Sequence, residues 1–175
     1  QGLWQQIVDL GGTAVCVPEG AGGIGMPAVA AIALAEEVGR TAFPSPLIAT
    51  LSATFVLNAC DSAAAPAALT EIAGGKATAL ALTNAEGEWD SAATDVRVNA
   101  DGRLDGLAAF VQDARKCAQF IVSARSDAGV GLYLVSAAAD GLTLTPDSVI
   151  DLTRDQARLT FKQVDRATLK VGRCR

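Results

Sequence analysis

Two glutamates stand side by side at Glu36 and Glu37, the pairing that general acid–base chemistry uses. They fall off the apolar stripe of their helix, which reads as a solvated face rather than a catalytic dyad. Residues 20–25, Gly-Ala-Gly-Gly-Ile-Gly, are rich enough in glycine to admit a phosphate. They lack the Lys-Ser/Thr of a P-loop and the preceding parallel strand of a dinucleotide fold, so a tight structural turn is the reading. Arg154, Arg158 and Arg166 put three cations in the last segment. They read as surface charges, with a neighbouring domain or a ligand phosphate as the alternative. Phe110-Val111-Gln112 reads as two core residues and the polar end of a strand, with an amide that can both donate and accept hydrogen bonds.

Some chemistry is excluded outright. The chain has no histidine, which removes Ser-His-Asp and Cys-His mechanisms and most zinc sites. Cys16, Cys60, Cys117 and Cys174 are far apart and form no CxxC pair. They read as free thiols in a reducing compartment, the alternatives being a disulfide pair or a metal site.

The elements that must hold these residues change character near Gly74-Gly75. Before that point the apolar residues have helical spacing. Trp4 to Leu10 reads as the end of a helix closed by Gly11-Gly12. Pro27 opens a second helix, with Ala31, Leu34, Ala35 and Val38 as its buried stripe and Gly39 as its end. Residues 47–59 and 64–73 form two more, the last capped by Asp61 or Ser62. After Gly75 come runs of strand length at 77–83, 94–98, 104–110, 120–124, 131–136, 142–145 and 158–161. Turn signals at Asn99–Gly102, Ser126–Gly129 and Asp140-Gly141 separate several of them. Helices first and strands second predict an α+β chain with a β-barrel or sandwich-like second part.

At 175 residues, half of them apolar and 19% charged, the chain is long enough for one mid-sized domain or two small ones. Its net charge of −5, without clustered Lys or Arg, argues against nucleic acid and anionic membrane as partners. No apolar run reaches the roughly 20 residues that a membrane helix needs. Gln1 to Leu10 has no basic stretch of the secretory kind. A soluble, cytoplasmic protein is expected. The chain opens on Gln1 and closes on Val-Gly-Arg-Cys-Arg, which predicts a piece of a longer protein.

Four segments, taken in order, carry a resemblance to a known family. Residues 10–40, LGGTAVCVPEGAGGIGMPAVAAIALAEEVGR, pair a Val-Pro-Glu and Gly-Gly-x-Gly loop with a helix ending in Glu-Glu-x-Gly-Arg. Residues 69–83, LTEIAGGKATALALT, lead into the first strand. Residues 101–125 and 129–144 supply a Gly-containing strand pair and a hairpin. Together they resemble the acyl-CoA dehydrogenase family. The resemblance implies an N-terminal helical domain over 1–75 and a middle β-domain over 76–175, with the family's C-terminal helical bundle absent from this sequence.

What the family does then becomes an expectation. The resemblance implies an FAD-dependent dehydrogenase that converts an acyl-CoA thioester to the 2,3-enoyl-CoA. Electrons would pass to an electron-transfer flavoprotein, in a homo- or hetero-oligomer. The family's base lies on its C-terminal domain, so no catalytic residue is assigned here. Residues 81–90, ALTNAEGEWD, stand where the family has Thr-Glu-Pro-x-x-Gly-Ser-Asp. Thr83 and Asp90 match that pattern, and Glu88 and Trp89 replace the Gly-Ser pair, putting a carboxylate and a ring where a diphosphate would approach. Phe110-Val111-Gln112 stand where the family has Trp-Ile-Thr. The implied flavin contacts are therefore Leu82, Thr83, Trp89, Phe110, Val111 and Gln112. The altered loop also fits a second expectation, a flavin-less, non-catalytic subunit of a heteromeric dehydrogenase.

Overall fold

The structure, a computed structural model, describes residues 2–169; Cys174 lies outside the described residues. Four helices come first: α1 (Leu3–Asp9), α2 (Ala28–Arg40), α3 (Leu47–Asn58) and α4 (Ala64–Ala73). Eight strands follow: β1 (Thr78–Ala81), β2 (Arg97–Val98), β3 (Leu104–Gln112), β4 (Gln119–Ser126), β5 (Gly129–Ser136), β6 (Leu142–Pro146), β7 (Gln156–Val164) and β8 (Ala167–Leu169). This is the expected α+β order, and among the described residues no α-helix follows α4.

The strands form one sheet in the order β6-β7-β3-β2-β4-β5-β8, with β1 added in parallel to β4. Most pairings are antiparallel, and β4 and β5 stay in register from Gln119↔Ser136 to Ser126↔Gly129. The sheet closes over itself. Ala157, Leu159 and Phe161 of β7 share one buried cluster with Phe120 and Val122 of β4 and Tyr133 and Val135 of β5. Strands that are not neighbours meet there through their inner faces, as a barrel or sandwich requires.

Burial explains the sequence pattern of β4. Phe120, Val122 and Ala124 point into the sheet's core, while Ile121 joins the helical cluster with Leu57, Leu69 and Ile72. A strand covered on both faces reads as a continuous apolar run rather than an alternation. β7 is covered on one face, and there Arg158 and Lys162 alternate with buried Leu159 and Phe161.

Helix α3 is the interface between layers. Leu47, Leu51, Ala53 and Leu57 are buried, and so are Thr50 and Thr54. Both threonine hydroxyls donate back to carbonyls four residues earlier, at 2.8 and 2.9 Å. Thr50 Oγ1 also accepts from the Thr78 amide at 3.2 Å, so one hydroxyl ties α3 to the first residue of β1. Trp4 Nε1 donates to the Gly75 carbonyl at 2.9 Å and ties α1 to the same entry segment. Buried polar groups paired in this way avoid the desolvation cost of an unmade hydrogen bond.

The structure corrects three local expectations and adds one strand. Helix α2 begins at Ala28, with Pro27 as the residue before it, and runs through Gly39 to Arg40, where the Thr41 hydroxyl donates to the Glu37 carbonyl at 2.8 Å. Helix α4 is preceded by Ala63 and has no side-chain cap, so neither Asp61 nor Ser62 serves as one; Ser62 contributes only its backbone carbonyl, to Ala65 N. The run at 94–98 is a strand only at Arg97–Val98, because Asp90 opens a short 3-10 turn over Ser91–Ala93 by accepting from Ala92 N. Strand β8, three residues long, carries too little pattern to read from sequence and is defined by its pairing with β5.

Candidate functional site

A cavity of about 630 Å³ opens between α3, the end of β1, the loop after it and the end of β3. Ile48, Ala49 and Ser52 form the helical wall. Leu80 of β1 and Leu82 and Thr83 just after it form a second wall, Gly87 and Trp89 come from the loop, and Phe110 and Gln112 of β3 and Asp113 just beyond it complete that side. Arg154 completes the lining. Its size and mostly apolar walls are those of a small-molecule site.

The aromatic wall depends on a bulge. The β3–β7 register shifts between Ala108 and Val111, and Phe110 takes φ 55°, a left-handed conformation that costs a non-glycine residue roughly 1–2 kcal/mol. Across the bulge the Ala109 amide donates to the Thr83 carbonyl at 2.9 Å, which ties the cavity ends of β1 and β3 together. The ring of Phe110 remains 44% exposed on the cavity side, whereas Val111 is 1% exposed and belongs to the core. Strain of this kind, at a residue that lines a cavity, points to function at that residue.

The loop at 84–90 is built on Asn84. Its Oδ1 accepts from Glu86 N at 3.1 Å and Glu88 N at 2.8 Å, and its Nδ2 donates to Glu88 Oε2 at 2.8 Å and the Ala93 carbonyl at 3.2 Å. This corrects the expectation for Glu88. The carboxylate is turned onto Asn84 and does not line the cavity, so it does not stand in the way of an anionic ligand. Gly87 takes φ 87° inside this loop, a conformation that favours glycine. Trp89 follows, 85% exposed, at the cavity edge.

A charged cluster anchors the far end of β3. Asp113 N donates to the Asp155 carbonyl at 2.7 Å, and the buried Asp155 carboxylate accepts from Arg115 Nε at 2.7 Å. Its second oxygen, Oδ2, is buried without a hydrogen-bond partner. Burial raises the Asp113 carboxyl above the usual carboxylate range, although Lys116 Nζ at 3.0 Å pulls it back. Burial, reinforced by Asp113 and Asp155, pushes the Cys117 thiol up to about 12. At neutral pH that thiol stays protonated and is not a nucleophile. Gln112 Nε2 donates to Gln156 Oε1 at 3.1 Å, which orients the amide at the cavity rim.

Five of the six expected residues, Leu82, Thr83, Trp89, Phe110 and Gln112, therefore line one cavity, and Val111 does not. Arg154, read from sequence as a surface charge, is exposed but lines the cavity too. Arg158 is held by Asp147 at 3.0 Å, and Arg166 lies 4.2 Å over the Tyr133 ring. The glycines at 20–25 make a tight turn: a Cβ on Gly23 would meet the Val17 carbonyl at 2.0 Å. Cys16, Cys60 and Cys117 are free. Sequence reasoning missed Ile48, Ala49, Ser52, Leu80, Gly87 and Asp113 as walls. The helical residues carry no polar signature, and Asp113 could have been found only by extending the strand motif one residue.

Comparison with known proteins follows the same division. Residues 1–76 match the family model described as the acyl-CoA dehydrogenase N-terminal domain. The structure described as the Tcur3481-Tcur3483 steroid ACAD G363A variant superposes with a TM-score of 0.84 at 31% identity, covering 96% of this chain and 47% of that one. The ChsE4-ChsE5 complex from Mycobacterium tuberculosis gives a TM-score of 0.79 at 22% identity, covering 95% of this chain and 45% of that one. An acyl-CoA dehydrogenase complexed with FAD from Bacillus anthracis gives 0.78 at 20% identity, covering 96% and 32%. The chain thus spans a third to a half of the length of these structures. No curated protein matches it. The helical part, residues 1–76, thus matches the family's N-terminal domain model, and the whole chain shares the fold of the N-terminal and middle portion of solved acyl-CoA dehydrogenases.

Proposed function

We propose that this chain forms one wall of a flavin and acyl-CoA cleft in an FAD-dependent acyl-CoA dehydrogenase. The reaction is the α,β-dehydrogenation of the thioester to the 2,3-enoyl-CoA. The chain divides, in this reading, into a helical domain at 1–75 and a β-domain at 76–175. The observation that carries the reading is the convergence of Leu82, Thr83, Trp89, Phe110 and Gln112 on a single cavity.

The residues present fit the cofactor. A cavity of about 630 Å³ with apolar walls accommodates a tricyclic ring system, and Glu88 is turned away from it. Leu82 and Phe110 would pack on the ring, while Thr83 and Gln112 offer hydrogen-bonding groups at its edges. Val111, also assigned to the flavin from sequence, supports Phe110 from the core. When bound, the flavin supplies the hydride acceptor. This chain's own contribution is to bind, to orient and to exclude water. Asp113 is the carboxylate among the cavity's walls, and it is engaged by Lys116, so no base is assigned to this chain.

The partners belong to the same proposal: an acyl-CoA substrate, an electron-transfer flavoprotein as acceptor, a homo- or hetero-oligomer and a cytoplasmic setting. Among the described residues no helix is long and apolar enough to cross a membrane. Because the 31% identical relative is described as a steroid ACAD, a steroid acyl-CoA is the first substrate to test. A second reading, a flavin-less subunit of a heteromeric dehydrogenase, is favoured by Trp89, a bulky ring where the family has a small residue, and by relatives described as paired proteins.

The visible spectrum of the purified protein, with and without added FAD, separates the two. Flavin bands that bleach with an acyl-CoA support the dehydrogenase. A colourless protein that ignores FAD moves the flavin to a partner subunit.

A further inference from the structure

Two charged side chains line the cavity, and they are not in the same state. Asp113 is paired with Lys116 at 3.0 Å, whereas the Arg154 guanidinium makes no hydrogen bond or ion pair among the described residues. The acids near it spend their hydrogen bonds elsewhere, although the Arg154 charge still acts on the Asp113 and Asp151 carboxyls and helps to lower both. Asp151 accepts from the amide and hydroxyl of Thr153 at 2.9 and 2.7 Å, and Asp155 accepts from Arg115 at 2.7 Å.

The other arginines show how unusual this is. Arg40, Arg103, Arg115 and Arg158 are each held by a carboxylate. Arg125 donates to the Ala92 carbonyl, and Arg166 lies over Tyr133. Arg97, which also makes no ion pair among the described residues, sits on β2 and is not among the cavity's walls. In a chain of net charge −5, a guanidinium at the rim of an apolar cavity, without a hydrogen bond or ion pair among the described residues, makes a local exception to the field. Its planar fork suits two-point recognition of phosphate, and low-dielectric walls strengthen the attraction.

We propose that Arg154 is the phosphate-reading residue of this cavity, binding the diphosphate of a nucleotide-bearing ligand. The inference rests on the cleft reading above. A flavin dinucleotide and a coenzyme A thioester both carry that diphosphate, and the test distinguishes them.

The test compares FAD, riboflavin and coenzyme A on the 175-residue chain, as wild type, R154Q and R154K. Binding is followed by flavin fluorescence and by quenching of Trp89, which lines the cavity. R154Q is expected to weaken one diphosphate-bearing probe about tenfold, in line with a charge-assisted hydrogen bond discounted for solvent exposure, and to leave riboflavin unchanged. R154K is expected to recover part of the loss, and added salt to weaken the wild type more than R154Q. Loss confined to FAD assigns Arg154 to the flavin, and loss confined to coenzyme A assigns it to the thioester. Equal affinities in wild type and R154Q, or an equal loss for riboflavin, overturn the proposal and leave the cleft reading intact. A wild type that binds none of the three probes overturns both.

Discussion

Strand β3 is bent twice, and the two bends are built differently. At its start, the register shifts between Leu104 and Gly106, and Gly106 takes φ 130°. A Cβ there would stand 2.2 Å from the Asp95 carbonyl oxygen, so only glycine lets the two backbones approach. At its end, the register shifts between Ala108 and Val111, and a phenylalanine takes the left-handed conformation instead. Glycine would fit that second bend at lower backbone cost, and the sequence does not use it. The first bend serves the fold. The second carries strain that holds a half-exposed ring at the cavity, the placement that the proposed flavin contact requires.

The sharpest way to break this comparison is at the first bend. Gly106→Ala is expected to cost more than about 3 kcal/mol in urea or thermal unfolding, because backbone meets backbone and no rotamer can relieve it. A fully stable variant would show that the strand can rebuild its register there.

Next come the neighbours Phe110 and Val111. Val111→Ala is expected to cost about 2 kcal/mol of stability and to leave FAD affinity near wild type, since that side chain fills the core. Phe110→Gly is expected to do the reverse. Relief of the left-handed strain offsets the lost packing, so stability stays within about 1 kcal/mol of wild type while FAD affinity falls. If both variants lose stability alike, the ring is a structural residue.

The smallest effect separates the two bends by pH. Asp105, at the first, has its carboxyl held below the usual range by the Gln163 amide and then by Asn99. Its contribution is present above the ordinary aspartate pKa of about 3.9 and is lost as pH falls through the depressed value. Asp113, beyond the second, is raised by burial, so its contribution is present below about 3.9 and fades as pH rises through its own value. Unfolding measured across the acid range is expected to flatten on the acid side in Asp105→Asn and on the opposite side in Asp113→Asn. Identical profiles would refute the distinction.

Much of this arrangement is visible in the residues themselves. The helical spacing before Gly74 and the turn residues after it predict the α+β order, because local periodicity reports which face each element buries. Aligning Thr83, Phe110 and Gln112 with the family's motifs brings forward side chains that line the cavity, but not the bulge that puts Val111 rather than Phe110 into the core with Ala108. Adjacent residues of a regular strand face opposite ways, and only pairing with β7 shows where the count slips.

The direction of Glu88 is a tertiary outcome in the same sense. Its charge predicts repulsion of an anion, yet the Asn84 amide, buried beneath the loop, gives that carboxylate a partner away from the cavity. Arg154 is the converse case, an arginine with nearby acids in sequence whose acids are taken by Thr153 and Arg115 in space. The sequence alone determined the class of elements, their order and the family resemblance, since these depend on composition and spacing along the chain. Which face each residue presents, which charges are already paired and what remains for a ligand were decided by tertiary structure, because hydrogen bonds and ion pairs are allotted among neighbours in space, whether near in sequence, as Thr153 is to Asp151, or distant, as Arg115 is to Asp155.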